Sequence, residues 1–320
     1  MEFGLGIQSD KSPTEYAALA QQAEAGGFDV VSVYHDLLYQ PAIAPLLLIA
    51  QATERVRVGP AALNPYTLHP VEIAGQIAAL DETSRGRAYL GLVRGAWLDS
   101  IGVDTGPPVT ALREAVEVVR RLLAGDRGGY RGTRFSLARG QALRYDVLRP
   151  SVPLLIGAWG ERMAALAGEV ADELKLGGSA NPDMVQVMRA RIGNDRVRIV
   201  VGAVTVVDDD GARARARARE EAALYFPVVA GLDPTLELGT RIVEDVRALV
   251  EAGDRRAAGE LIPDHLLDRL AFSGTPEQIA HQAEALYAAG AHRVEFGTPQ
   301  GLTTEGGVKL LCERVLPHFR

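Results

Sequence analysis

The sequence predicts an α/β chain folded as a (β/α)8 TIM barrel with a helical insertion between strands 7 and 8. Three observations predict it. Short runs rich in β-formers alternate with longer helix-patterned runs along the chain, the mark of βα units on a parallel sheet. Eight such β runs can be counted, and eight units close naturally into a barrel, although a doubly wound open sheet would give similar local patterns. A chain of 320 residues, 47% of them hydrophobic, suffices for one large core of this kind. No internal repeat or low-complexity linker divides it, so residues 1–320 are read as a single domain.

The strands are expected at residues 3–7, 29–34, 56–63, 87–93, 153–157, 173–176, 197–207 and 293–296. Between them, helical patterns fall at 13–25, 44–53, 71–82, 109–124, 161–170, 182–192 and 308–316. His69-Pro70 starts the third helix, with Pro at a favoured first-turn position. Two connections exceed the usual loop length and read as insertions. Residues 125–152 contain Gly128-Gly129-Tyr130 and Gly132-Thr133-Arg134-Phe135, an irregular loop or a small hairpin. Residues 208–291 are rich in Ala, Arg, Glu and Leu with breaks at Pro227, Pro234, Pro263 and Gly274, which predicts several helices over one end of the barrel. Thr275-Pro276 caps the last of them.

A formal charge of -7 argues against a nucleic-acid surface. The one basic run, Arg213, Arg215, Arg217 and Arg219, is followed by Glu220 and Glu221 and reads as a solvated helix laced with ion pairs. Cys312 is the only cysteine, which excludes an intrachain disulfide; on an apolar helix it reads as a structural thiol. The N-terminus enters a strand at once and the longest oily stretch, 41–50, is too short and Pro-broken to span a bilayer. A cytoplasmic homodimer acting on a small molecule is expected, with neither nucleic acid nor membrane as partner. No HExxH, paired-His or Cys cluster suggests a metal, and GxSxG, P-loop and GxGxxG motifs are missing.

Barrel enzymes place their chemistry at the carboxyl ends of the strands. After the third strand, the run from Gly59 to Pro70 dissolves into small residues and turns at Asn64-Pro65. A planar ring could lie against Ala61, Ala62, Leu63 and Asn64; taken alone, the run also reads as an ordinary strand-to-helix loop. Gly157, Ala158, Trp159, Gly160 and Glu161 end the fifth strand and open a helix, whose free N–H groups suit a phosphate. Replacing Gly160 by Asp is expected to repel that phosphate and to crowd the helix start. Arg94 suits a phosphate or carboxylate, or else pairs with Asp36 or Asp99. His35 and Asp36, at the end of strand two, are candidate proton-handling groups, and Glu295 on strand eight is either an acid or a salt-bridged interior residue.

The run GPxxxNPYTxHP, with the blocks Leu90 to Gly95, Ile156 to Gly160, Met163 to Gly168 and Gly297 to Gly301, resembles the bacterial-luciferase-like flavoprotein superfamily. Within it, the run is most similar to the methylenetetrahydromethanopterin reductases, which use the deazaflavin coenzyme F420. The resemblance implies a hydride-transfer enzyme with the ring on Ala61 to Asn64, the phosphate on Gly157 to Glu161 and a non-prolyl cis peptide between Ala61 and Ala62. It also exposes departures. The family's Asp-His order is reversed at His35-Asp36, and Ala96 stands where the sugar-phosphate dehydrogenases carry an acid. Gly6 replaces a glutamate that protonates the substrate, which leaves Glu295 as a replacement and Gln8 as the nearest polar residue on that strand face. An FMN-dependent monooxygenase and a non-catalytic flavin- or deazaflavin-binding barrel remain as alternatives.

Overall fold

The computed structural model describes residues 1–239 and 241–320. Its strands are β1 (Glu2–Ile7), β2 (Val30–Val33), β3 (Arg57–Pro60), β4 (Leu90–Leu92), β5 (Tyr130–Arg131), β6 (Ser136–Leu137), β7 (Leu154–Gly157), β8 (Glu173–Gly177), β9 (Arg198–Val207), β10 (Ala271–Gly274) and β11 (Arg293–Gly301). Eight of them run parallel in the order β3-β2-β1-β11-β9-β8-β7-β4. Backbone bridges Val58–Ala88 and Leu63–Leu92 join the two ends, so the sheet closes as the (β/α)8 barrel that the alternation predicts.

The outer layer contains α1 (Pro13–Gly26), α2 (Ile43–Ala52), α3 (Pro70–Thr83), α4 (Pro108–Leu123), α5 (Glu161–Val170), α6 (Pro182–Ile192), α11 (Pro276–Ala288) and α12 (Thr304–Leu310). Their starts follow local chemistry. Proline occupies the first turn of α1, α3, α6 and α11, where its missing N–H costs nothing. The Asn181 side chain accepts from Asp183 N–H, and Thr275 forms a reciprocal capping box with Gln278. The main apolar core lies between the barrel wall and these helices, around Leu5, Val31, Ile49, Ile73, Leu112 and Phe296.

The first insertion takes the hairpin form of its two expected readings, and the second differs in detail from the expectation. The first contains the antiparallel hairpin β5–β6, with Tyr130 paired to Leu137. The second holds α7 (Gly211–Val229), α8 (Ile242–Glu251), α9 (Arg255–Glu260) and α10 (Asp264–Leu270) around their own core of Ala218, Phe226, Leu266 and Leu267. It also contains β10, which an all-helical reading missed. β8 ends its pairing with β9 at Gly177–Gly202, and β10 pairs with β9 from Ala271–Val204 to Gly274–Val207, taking over the vacated edge. Pro227, expected as a break, lies inside the last turn of α7, which runs on to Val229. Arg215 and Arg219 reach Asp264, and Arg217 reaches Glu220 and Glu221, the ion-pair lacing expected of that helix. Cys312 is half-buried, and burial pushes its thiol up to about 11. Among the described residues no helix is long and apolar enough to cross a membrane, and no group of three or more potential ligands could hold a metal.

The barrel interior departs from the branched aliphatic filling usual for this architecture. Inward glycines make room for polar and aromatic side chains: a Cβ at Gly59 would lie 2.5 Å from the Tyr89 ring, and one at Gly4 3.0 Å from Glu295 Cγ. At the lower end, Glu173 gathers Arg57 at 3.1 Å, Arg198 and Arg293. Arg293 Nη2 stands 3.0 Å from Glu173 Oε2 at an angle too bent for a hydrogen bond. The Arg57 and Arg293 guanidinium carbons each lie 5.6 Å from the centroid of the Tyr89 ring. Above it, Tyr89 donates to Ser32 Oγ at 2.7 Å, Ser32 donates to Glu295 Oε2 at 2.7 Å, and Lys175 closes on the other carboxylate oxygen.

Candidate active site

A cavity of about 1070 Å³ opens at the carboxyl ends of β2, β3, β4, β7 and β8. Of the sequence-expected residues, His35, Asp36, Ala61, Ala62, Asn64, Arg94 and the segment Gly157 to Glu161 line it together. Leu63 and Glu295 do not. The Leu63 side chain is buried in the outer core and its backbone bridges to Leu92. This outward direction follows from the period-two alternation of a strand, which separates it from its neighbours.

The peptide joining Ala61 to Ala62 is cis, as the resemblance implies. The chain there presses against β4: a Cβ on Gly91 would meet Pro60 O at 2.1 Å and Ala62 Cβ at 3.2 Å. Asn64 then fixes the turn, its Oδ1 accepting from Tyr66 N–H at 3.0 Å and from Thr67 N–H at 2.9 Å. The result is a cradle of backbone and small side chains, of the shape a planar ring requires.

Across the cavity, Gly160 is the N-cap residue of α5, and among the described residues no side chain caps that helix. The first-turn N–H groups and the positive end of the helix dipole therefore face the cavity without an internal partner side chain. Trp159 frames the loop, its indole donating to Gly177 O at 3.1 Å while its carbonyl accepts from Arg191 at 2.7 Å. Among the described residues Arg94 pairs with neither Asp36 nor Asp99, and its side chain donates to Thr105 Oγ1 at 3.5 Å. Ring cradle, phosphate loop and a guanidinium without a carboxylate partner among the described residues fit a flavin-like cofactor.

His35 accepts a hydrogen bond on Nδ1 from Ala42 N–H at 3.2 Å. Burial lowers its pKa from the ordinary value, against an opposing pull from Asp36, so the ring is neutral and carries its hydrogen on Nε2. Asp36 accepts from Gln8 Nε2 at 2.8 Å. Gln8 thus positions that carboxylate, which the sequence pattern did not indicate.

Glu295 takes the second of its two sequence readings, the salt-bridged interior residue. Burial alone would raise its pKa, but Lys175 and Arg293, with hydrogen bonds from Lys175 and Ser32, hold it below the ordinary carboxylate value. An ionised side chain outside the cavity is not the acid that replaces the family's glutamate. The sequence reading placed Lys175 within the strand at 173–176 and saw no site there, because nothing local marks what an inward side chain meets; in the fold it lines the cavity.

Gly6 has a structural reason. A Cβ there would lie 2.1 Å from the Tyr34 hydroxyl and 2.7 Å from its Cζ, so the Tyr34 phenol fills the space a larger residue would need. Introducing the family's acid as Gly6→Glu should therefore destabilise the protein by about 1–3 kcal/mol or more. The cost should shrink in Gly6→Glu with Tyr34→Ala, and a double-mutant cycle in denaturant reads the coupling. Additive effects would place the Tyr34 ring elsewhere.

Residues 1–293 match the family described as luciferase-like monooxygenase, and the chain belongs to that family. Among curated proteins it is 29% identical to the 5,10-methylenetetrahydromethanopterin reductase of Methanopyrus kandleri, covering 100% of this chain and 99% of the relative. It is 27% identical to the F420-dependent glucose-6-phosphate dehydrogenase of Nakamurella multipartita, covering 100% and 97%. The solved coenzyme F420 dependent tetrahydromethanopterin reductase from Methanopyrus kandleri superposes with a TM-score of 0.90 at 26% identity, covering 100% and 99% of the two chains.

Proposed function

We propose that the protein is a coenzyme F420-dependent oxidoreductase of the methylenetetrahydromethanopterin-reductase type, moving a hydride between the deazaflavin and a small organic substrate. One observation carries the reading: the Ala61–Ala62 cradle and the uncapped N-terminus of α5 face one cavity, where a ring and a phosphate would be held together. The similarity to F420-dependent relatives along the whole chain supports the choice of cofactor. When bound, the deazaflavin supplies a ring carbon that gives or takes the hydride. The main chain from Ala61 to Asn64 positions the ring, the Glu161 and Arg162 N–H groups meet the phosphate, and Arg94 neutralises charge at the rim. His35 offers an Nε2–H donor to the substrate.

Titrating the cofactor-free protein with F420 and with FMN, followed by absorbance and fluorescence, tests the assignment. Deazaflavin binding in preference to FMN is expected; tight FMN binding without deazaflavin affinity would replace this reading with the flavin monooxygenase. With Gly6 in place of a positioned acid, methylenetetrahydromethanopterin and methylenetetrahydrofolate should turn over roughly 10²- to 10⁴-fold slower than in an enzyme that has one. Steady-state assays on both compounds measure this, and turnover at an ordinary enzymatic rate would mean that another group supplies the proton. A single-domain, cytoplasmic homodimer belongs to the same reading. Light scattering, cell fractionation and one cooperative unfolding transition check those three parts.

A further inference from the structure

We propose, resting on the oxidoreductase reading above, that Lys175 exchanges the proton with the substrate's heteroatom as the hydride moves, and that the substrate class is a carbonyl or imine compound with its alcohol or amine counterpart. Lys175 lines the cavity, its ammonium 5.0 Å from the centroid of the Tyr34 ring and paired with Glu295. The other polar groups nearby are committed. Glu295 is ionised and outside the cavity, Asp36 accepts from Gln8, and His35 is neutral with Nδ1 occupied, so its Nε2–H can orient the substrate by a hydrogen bond but is a poor proton donor. The Tyr34 hydroxyl is turned between Gly6 and Gly297.

The surroundings of Glu295 suit a lysine that loses and regains a proton. Lys175 is the largest of the groups that hold Glu295 ionised, and Ser32, donating to Oε2 at 2.7 Å, and the field of Arg293 bear on the carboxylate besides it. In the reducing direction, the substrate's C=O or C=N carbon takes a hydride from reduced coenzyme while its oxygen or nitrogen takes a proton from the Lys175 ammonium. Water in the cavity then restores that proton. In the oxidising direction the C–H bond breaks, its hydride passes to oxidised coenzyme, and the O–H or N–H proton passes to the neutral amine.

Two measurements test this. The chain has three lysines, Lys11, Lys175 and Lys309. The intact, cofactor-free protein is treated with pyridoxal 5′-phosphate and then borohydride, which traps an amine that can lose its proton and reach an aldehyde, and the labelled peptides are identified by mass spectrometry. Lys175 is expected to be labelled by the time the exposed Lys309 saturates; saturation of Lys309 with Lys175 unlabelled overturns the proposal. This readout needs no coenzyme, so its failure is separate from failure of the cofactor assignment, which would appear as absent F420 binding with Lys175 still labelled.

The second measurement compares Lys175→Arg and Lys175→Met with wild type, using acetone and cyclohexanone as probes with reduced F420. Lys175→Arg keeps the charge beside Glu295 but cannot be deprotonated in a protein. Coenzyme affinity is expected to stay within about threefold in both variants, and turnover of whichever probe wild type accepts to fall roughly 10²- to 10⁴-fold. An unchanged melting temperature in Lys175→Arg shows that this loss is not misfolding, and wild-type turnover in that variant overturns the proposal. Where no probe reacts, the labelling decides.

Discussion

Gly160→Asp should weaken coenzyme binding by about 100-fold or more while leaving the melting temperature unchanged or slightly raised. Gly160 has φ -78 and ψ 155, which any residue adopts, and a Cβ there meets no atom within 4 Å. The crowding expected from the sequence is therefore absent. Aspartate is a favoured N-cap residue, and its charge suits the start of a helix. The same carboxylate would occupy the N–H groups of α5 and repel a phosphate approaching them. A 100-fold loss is about 2.7 kcal/mol, in the range that like-charge juxtaposition costs. Gly160→Asn, which caps without charge, should lose less. Calorimetric titration with F420 measures all three proteins, and normal binding by Gly160→Asp would place the phosphate elsewhere.

Glu173→Gln should destabilise the fold by about 3–5 kcal/mol at neutral pH, because it leaves Arg293 charged and buried without its carboxylate. Burial alone would raise the Glu173 pKa; Arg293, Arg57 and Arg198 reverse that and hold it below the ordinary value. The unfolded chain therefore takes up this proton at a higher pH than the folded one. The contribution of the carboxylate is complete above the unfolded value of about 4.3 and is lost as pH falls through the lower folded value. Denaturant midpoints of wild type and Glu173→Gln should lie far apart at pH 7 and converge in that acidic window. Equal midpoints at pH 7 would mean that Arg293 is compensated without Glu173.

The contrast between these two positions also marks how far the sequence could be read. Gly160 was visible as a site because its meaning is local: a strand, small residues and a helix start lie within one short run. The Ala61 to Asn64 cradle was legible for the same reason. Glu173 was assigned to a strand and nothing more, because Arg57 and Arg293 lie 116 and 120 positions away in the chain and meet it only inside the closed barrel. Lys175 was hidden likewise, and Tyr34 was visible only as a residue at the end of strand two, since period-two alternation says that a residue faces inward but not what it meets there. β10 escaped notice because Ala271-Phe272-Ser273-Gly274 is short and sits in helical surroundings; its pairing with β9 comes from tertiary contact rather than from propensity.

The edge that β9 shares first with β8 and then with β10 bears on how such enzymes diversify. The chain leaves β9 after Val207 and returns to its edge as β10, from Ala271 to Gly274, and Val207 and Gly274 are partners in one parallel register. Exit and re-entry lie side by side, so the intervening segment forms a nearly closed excursion with its own core. That excursion places Val228 and Leu232 on the cavity rim. Recombination or insertion within it can remodel what the rim admits while the strands beneath keep their pairing, which makes substrate choice a transplantable property: a chimera joined at Val207 and Gly274 would carry a donor's rim on this barrel's cofactor floor.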